Sequence, residues 1–211
     1  MKSVVLLISL VLAFSSSCAT TTPNPLLHVV RDIDGEILRS DTRYFVVSPG
    51  NGGVTRGPTM NGARHDANFV CPFQVVMSRF NKGTPVYFKP KAPKQEEITE
   101  SSDVNIEFYL GNPTVCNNNV WLVEGFPGNE IPMFLSTNGQ AGNPLNVATW
   151  FQIKKANDFS YKLVFCPYGE HICSDIGIAD GSGERRLALR TENTFYVVFI
   201  KDTNIGIKSI I

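Results

Sequence analysis

The stretch from Tyr161 to Ile178 reads Tyr-Lys-Leu-Val-Phe-Cys-Pro-Tyr-Gly-Glu-His-Ile-Cys-Ser-Asp-Ile-Gly-Ile. Tyr161, Leu163 and Phe165 alternate with Lys162 and Val164, the period-2 pattern of a strand with one buried face. Cys166-Pro167 ends that strand, and a second short apolar run begins at Ile176. Between them Cys166 and Cys173 bracket six residues that include Pro167 and Gly169, a span short enough for a disulfide to close a hairpin-like loop. The residues predict a strand, a stapled loop and a second strand.

Outward from there the same grammar recurs. Apolar segments of strand length run from Tyr44 to Val47, Val75 to Met77, Val86 to Phe88, Val104 to Leu110, Val120 to Val123, Trp150 to Ile153, Leu187 to Leu189 and Phe195 to Ile200. Gly, Pro, Asn and Asp clusters separate them, among them Pro49-Gly50-Asn51-Gly52-Gly53 and Asp180-Gly181-Ser182-Gly183, and no segment sustains a 3.6-residue period. Many short strands with turn residues between them specify an all-β chain, either barrel or sandwich.

Tyr161-Lys-Leu-Val-Phe-Cys-Pro167, Cys173-Ser-Asp-Ile-Gly-Ile178 and Arg185-Arg-Leu-Ala-Leu189 closely resemble the plant Kunitz-type family of soybean trypsin inhibitor and miraculin-like proteins. Asp32-Ile-Asp-Gly35, Cys71-Pro-Phe-Gln-Val-Val76, Ser102-Asp-Val-Asn-Ile-Glu-Phe108 and Trp150-Phe-Gln-Ile-Lys154 resemble further family blocks in family order, so the likeness covers nearly the whole mature chain. The resemblance implies a β-trefoil, a twelve-stranded pseudo-threefold barrel with a hairpin cap, built here from three units beginning near His28, Gly83 and Ser136. It also implies inhibition of a serine protease, with no cofactor and no catalysis.

The chain opens with Lys2, an apolar run from Val4 to Phe14, and Ser15-Ser-Ser-Cys-Ala19. A charged start, a short hydrophobic core and small residues predict a signal peptide over 1–19, cut after Ala19. That run is shorter than the roughly 17–25 residues of a membrane span, so the expected product is soluble, with no membrane partner. Thr20 to Leu27, with Pro23 and Pro25, reads as a flexible leader, and 28–211 as one domain. Asn24-Pro-Leu-Leu27 resembles an Asn-Pro-Ile-Arg type of vacuolar sorting signal. The expected location is the secretory pathway, ending extracellular or vacuolar.

Losing Cys18 with the signal peptide leaves four of the five cysteines, which in a secreted chain read as two disulfides with three pairings open. Order along the chain favours Cys71–Cys116 with Cys166–Cys173, and the resemblance implies the same pairs. Nineteen basic and nineteen acidic residues balance, and losing Lys2 leaves eighteen against nineteen, a net charge of −1. There is no excess of basic charge to release counterions from nucleic acid. The expected state is a monomer.

The longest polar run between predicted strands is Lys89-Pro-Lys-Ala-Pro-Lys-Gln-Glu-Glu-Ile-Thr-Glu-Ser-Ser-Asp103. Long connections in compact domains are often functional. A substrate-like inhibitor needs an exposed, extended segment that is already restricted, and proline restricts both itself and its predecessor. Counting back from Phe108 against the family pattern places the residue before the scissile bond at Lys94, while aligning on Pro93 places it at Gln95. Lysine there would enter the acidic pocket of a trypsin-like enzyme. Pro93, Lys94, Gln95 and Glu96 are therefore the candidate reactive residues, and the partner is a serine endopeptidase. Glu96 and Glu97 place two negative charges on the primed side. Ser40 stands where the best-known inhibitors carry a loop-bracing asparagine, and it is shorter.

Other chemistry finds little support. His28, His65 and His171 are scattered with no metal-ligand spacing, and Asp32-Ile-Asp-Gly35 lacks the other ligands and the closing glutamate of a calcium loop. Asp180-Gly-Ser-Gly-Glu184 is not a hydrolase elbow. None of Gln74, Gln95, Gln140 or Gln152 begins a Gln-x-Trp lectin repeat, and Trp121 and Trp150 read as core residues. The alternatives to a trypsin-type inhibitor are a non-inhibitory storage, defence or miraculin-like protein, and an inhibitor of subtilisin, a cysteine protease or α-amylase through another surface.

Overall fold

The computed structural model describes residues 28–59, 70–79, 81–92, 94–111, 119–169, 171–181, 183–192 and 194–203. The expectations for 1–19 and 20–27, for Pro93 and for the Cys71–Cys116 pair fall on positions outside the described residues or side chains.

Short alternating segments become strands because one face finds a core: in β1 (Tyr44–Ser48) Tyr44, Val46 and Ser48 are buried while Phe45 and Val47 are partly exposed. The chain continues through β2 (Gly52–Thr59), β3 (Val70–Ser78), β4 (Val86–Pro90), β5 (Val104–Phe108), β6 (Val120–Val123) and β7 (Met133–Gly139). A 3₁₀ turn at Val147–Thr149 precedes β8 (Gln152–Asn157), β9 (Ser160–Phe165), β10 (Ser174–Gly181), β11 (Glu184–Leu189) and β12 (Tyr196–Lys201). The all-β expectation holds. Cys166 and Cys173 form a disulfide between β9 and β10, as the opening stretch predicted.

Among the described residues every strand pair is antiparallel, and the pairing closes on itself. β1 pairs β4, β4 pairs β5, a bridge from Val104 to Phe151 carries β5 to the start of β8, and β8, β9, β12 and β1 pair in succession. The hairpins β2–β3, β6–β7 and β10–β11 pair with one another through Gln74↔Ser136, Arg186↔Val76 and Ala188↔Phe134. Inside lies a run of aromatic rings: Phe199 packs edge-on to Phe88 at 5.3 Å and against Tyr161 at 5.5 Å. Trp121 packs against Phe108 at 5.4 Å and Phe151 at 6.4 Å. Trp121 and Trp150 are buried, in keeping with their reading as core.

Two strands escaped the periodicity reading. β2 contains Gly52, Gly53, Gly57 and Pro58, which read as turn residues. The glycines are there because the neighbouring backbone comes so close: a Cβ on Gly52 would lie 1.8 Å from the Ser78 carbonyl oxygen. β7 buries Ser136 and Thr137 among its apolar residues, and a run of small polar residues carries no alternation.

Candidate functional site

The connection from β4 to β5 is long because Lys91 to Asp103 leave the sheet, and it is tied at its base, its tip and its returning arm. At the base the Lys91 amide donates to the Asp103 carbonyl at 2.9 Å and its ammonium pairs with Asp103 Oδ2 at 2.9 Å. Asp103 Oδ1 accepts from Gln152 Nε2 at 3.0 Å, and the Lys91 ammonium lies 5.3 Å from the Trp150 ring centroid. One carboxylate therefore holds the two ends of the loop together and joins them to β8.

At the tip the chain turns. The Gln95 amide donates to the Ala92 carbonyl at 3.4 Å, and Lys94 has φ +69°, in the left-handed region that most side chains avoid. The turn points the exposed Lys94 side chain into solvent, where it makes no hydrogen bond or ion pair among the described residues. Gln95 does the opposite. Its Nε2 donates to the Glu97 carbonyl at 2.8 Å and to Thr99 Oγ1 at 3.1 Å, so its side chain braces the loop from inside.

The returning arm runs against the start of the domain. The Ser40 amide donates to the Glu96 carbonyl at 2.8 Å, Arg39 bridges to Glu97, and the Ile98 amide donates to the Leu38 carbonyl at 2.9 Å. Ile98 is fully buried and anchors the arm in the core. Ser40 thus meets the loop through its backbone amide. The Arg39 guanidinium lies 3.6 Å from Glu96 and 3.7 Å from Glu97, partly offsetting the two acids that follow the tip. These groups are substantially exposed, so each pair contributes about 0–1 kcal/mol.

Behind Arg39 sits Tyr44, whose phenolic oxygen accepts the Arg39 amide at 3.1 Å. Burial pushes the Tyr44 hydroxyl above its usual pKa, because the low-dielectric core disfavours the phenolate. The core thereby supports the strand that supports the loop. Arg39 and Tyr44 were not singled out from the sequence, since their part depends on a pairing between distant segments. An open cleft of about 620 Å³ separates the loop from the Cys166–Cys173 loop, with Gln95, Asp103, Gln152 and Pro167 among its walls.

Lys94, Gln95 and Glu96 thus occupy one tied loop with Ser40 against its returning arm. Among the described residues no group of three or more His, Cys, Asp or Glu side chains is placed to hold a metal ion, and no helix is long and apolar enough to cross a membrane.

The family model described as trypsin and protease inhibitor of the legume Kunitz type matches residues 30–201. The chain is 36% identical over 186 residues to miraculin of Synsepalum dulcificum, covering 82% of this chain and 81% of that one. It is 35% identical over 197 residues to Kunitz trypsin inhibitor 5 of Arabidopsis thaliana, covering 89% and 93%. Among solved structures, the Kunitz-type cysteine protease inhibitor from potato superposes with a TM-score of 0.67 at 31% identity, covering 82% of this chain and 96% of that chain. The chain belongs to the legume Kunitz family, whose members are protease inhibitors and related proteins that are not enzymes.

Proposed function

We propose that this chain is a β-trefoil inhibitor of a serine endopeptidase with trypsin-like specificity, acting through the 91–103 loop with Lys94 as the residue before the scissile bond. The observation that carries this reading is the contrast at the tip: Lys94 projects unpaired into solvent while Gln95 is folded back onto Glu97 and Thr99. A residue that enters an acidic pocket must be the one that projects, and its ammonium must be free to pair there. The likeness to an Arabidopsis Kunitz trypsin inhibitor supports the same target. The reading includes Cys71–Cys116 as the second disulfide, a signal peptide over 1–19, a leader over 20–27, and a monomer in the secretory pathway.

Substrate-like docking requires Lys94 to move from its left-handed conformation to an extended one, which breaks the bond from Gln95 to Ala92. That long bond contributes about 0.5–1.5 kcal/mol, and the left-handed backbone costs a lysine about 1–2 kcal/mol, so the two nearly cancel. The tip is therefore able to open onto an enzyme at little cost. Its base and returning arm keep their ties.

The left-handed Lys94 also favours a second reading, in which the tip has lost its inhibitory conformation. The protein is then non-inhibitory, as a storage, defence or miraculin-like protein, or inhibits subtilisin, a cysteine protease or α-amylase through another face. Titration of active-site-calibrated trypsin with the disulfide-intact mature protein separates the two. One-to-one inhibition, with slow cutting after Lys94 and loss of inhibition in Lys94→Ala, is expected. Rapid cutting without inhibition, or inhibition that survives Lys94→Ala, supports the second reading.

A further inference from the structure

The β8–β9 turn places Phe159 in the open, 88% exposed, with its amide donating to Asn157 Oδ1 at 2.9 Å. Tyr196 is 51% exposed at the start of β12, and Ile33 is 55% exposed in the Asp32–Gly35 turn. These side chains border two concavities that share Phe159 and Val198, one of about 850 Å³ and one of about 380 Å³. Phe159 is the ridge between them. Exposed rings rimmed by polar groups mark a binding surface, since water contact at such rings contributes nothing to folding.

The polar rims decide what fits. The larger concavity carries Asn51, Ser160, Asp180 and Arg185, with one acid against one base. The smaller carries Arg31, Asp32, Lys155 and Asp158, with two acids against two bases. Neither therefore selects an ion by net charge. A ligand with many hydroxyls donates and accepts at once, matching Asp, Arg, Asn and Ser side by side.

We propose that this face binds a neutral oligosaccharide, with one sugar in each concavity and the chain crossing Phe159. The electron-poor C–H face of a pyranose ring suits the electron-rich faces of Phe159 and Tyr196. The rim groups then bond to its hydroxyls. Every residue used lies outside the 91–103 loop, so the inference is independent of protease inhibition.

The test is an amide NMR titration of the disulfide-intact mature chain with cellotetraose, maltotetraose and N-acetylchitotetraose, and with tetragalacturonate as the anionic control. At least one neutral tetrasaccharide is expected to bind with a dissociation constant of about 1 mM or tighter, shifting the amides of Asp158 to Ser160 and Tyr196. Phe159→Ala, at an exposed position, is expected to weaken it about tenfold or more, as is Tyr196→Ala, while Lys94→Ala leaves it unchanged. The proposal is overturned if no neutral tetrasaccharide moves these amides at about 10 mM. It is equally overturned if Phe159→Ala binds like the native chain or if tetragalacturonate binds tightest. Self-association through Phe159 without saccharide binding would assign the face to a second protein copy instead.

Discussion

Lys94 and Tyr44 illustrate how much rests on single side chains around the loop. Lys94 holds φ +69° without being glycine. Lys94→Gly should therefore stabilise the fold by up to about 1 kcal/mol in urea melts while abolishing inhibition, whereas Lys94→Ala abolishes inhibition with no gain in stability. Stabilisation by alanine equal to that by glycine would contradict the left-handed tip. Tyr44, buried and bonded to the Arg39 amide, has its folded-state pKa raised by desolvation. Above a pH of about 10 the unfolded chain loses this proton first, so folded chains hold more protons. The Tyr44 contribution is therefore complete below that pH and is lost as pH rises toward the folded value. Tyr44→Phe should cost about 1 kcal/mol at neutral pH and flatten the alkaline limb of the stability curve, measured by urea melts from neutral to alkaline pH. An unchanged alkaline limb would remove Tyr44 as its source.

At the scale of the element, the loop is a device whose stiffness comes from within as well as from its neighbours. Gln95 contributes two bonds to residues further along the same arm, and Asp103 joins Lys91 to Gln152 across the base. Removing the Gln95 bonds in Gln95→Ala should cost about 1–2 kcal/mol of local stability, enough to raise the rate of cutting after Lys94 roughly tenfold. The melting temperature should move little, because the loop opens without unfolding the strands. Peptide sequencing over a time course with excess trypsin gives the rate, and a rate equal to that of the native chain would show that Gln95 is not the brace. The two acids after the tip place negative charge on the primed side of the loop. With Arg39 beside both, they also bind the returning arm to the first segment of the domain.

For the whole molecule, the closed pairing of β1, β4, β5, β8, β9 and β12 puts Phe199 among Phe88 and Tyr161. Phe199→Ala removes a fully buried ring from that junction and should destabilise the fold by about 3–5 kcal/mol in chemical denaturation. Because Ile98 and Tyr44 share the same core, the loop should become susceptible to proteolysis in parallel. A large loss of stability with an unchanged rate of loop cutting would separate the loop from the core. Closure also explains how a chain of short strands manages its edges. β9 and β12 pair on both sides, so their backbone groups are not offered to another chain.

The local signals in the sequence determined a good deal. Alternation from Tyr161 to Phe165, apolar runs such as Phe195 to Ile200, turn clusters between strands, and the spacing of Cys166 and Cys173 specified an all-β chain, most of its strands and one disulfide. They also located the polar loop, because the apolar segments stop at Phe88 and resume at Val104. Tertiary structure alone decided the rest. β2 looks like a turn until Ser78 is seen to need the space beside Gly52, and β7 hides its burial behind Ser136 and Thr137. The turned-in Gln95, the clamp from Arg39 and Ser40, the support from Tyr44 and the ridge at Phe159 all depend on segments far apart in sequence. A residue's propensity and period are local quantities, whereas its partners are fixed only when the sheet closes and brings those segments together.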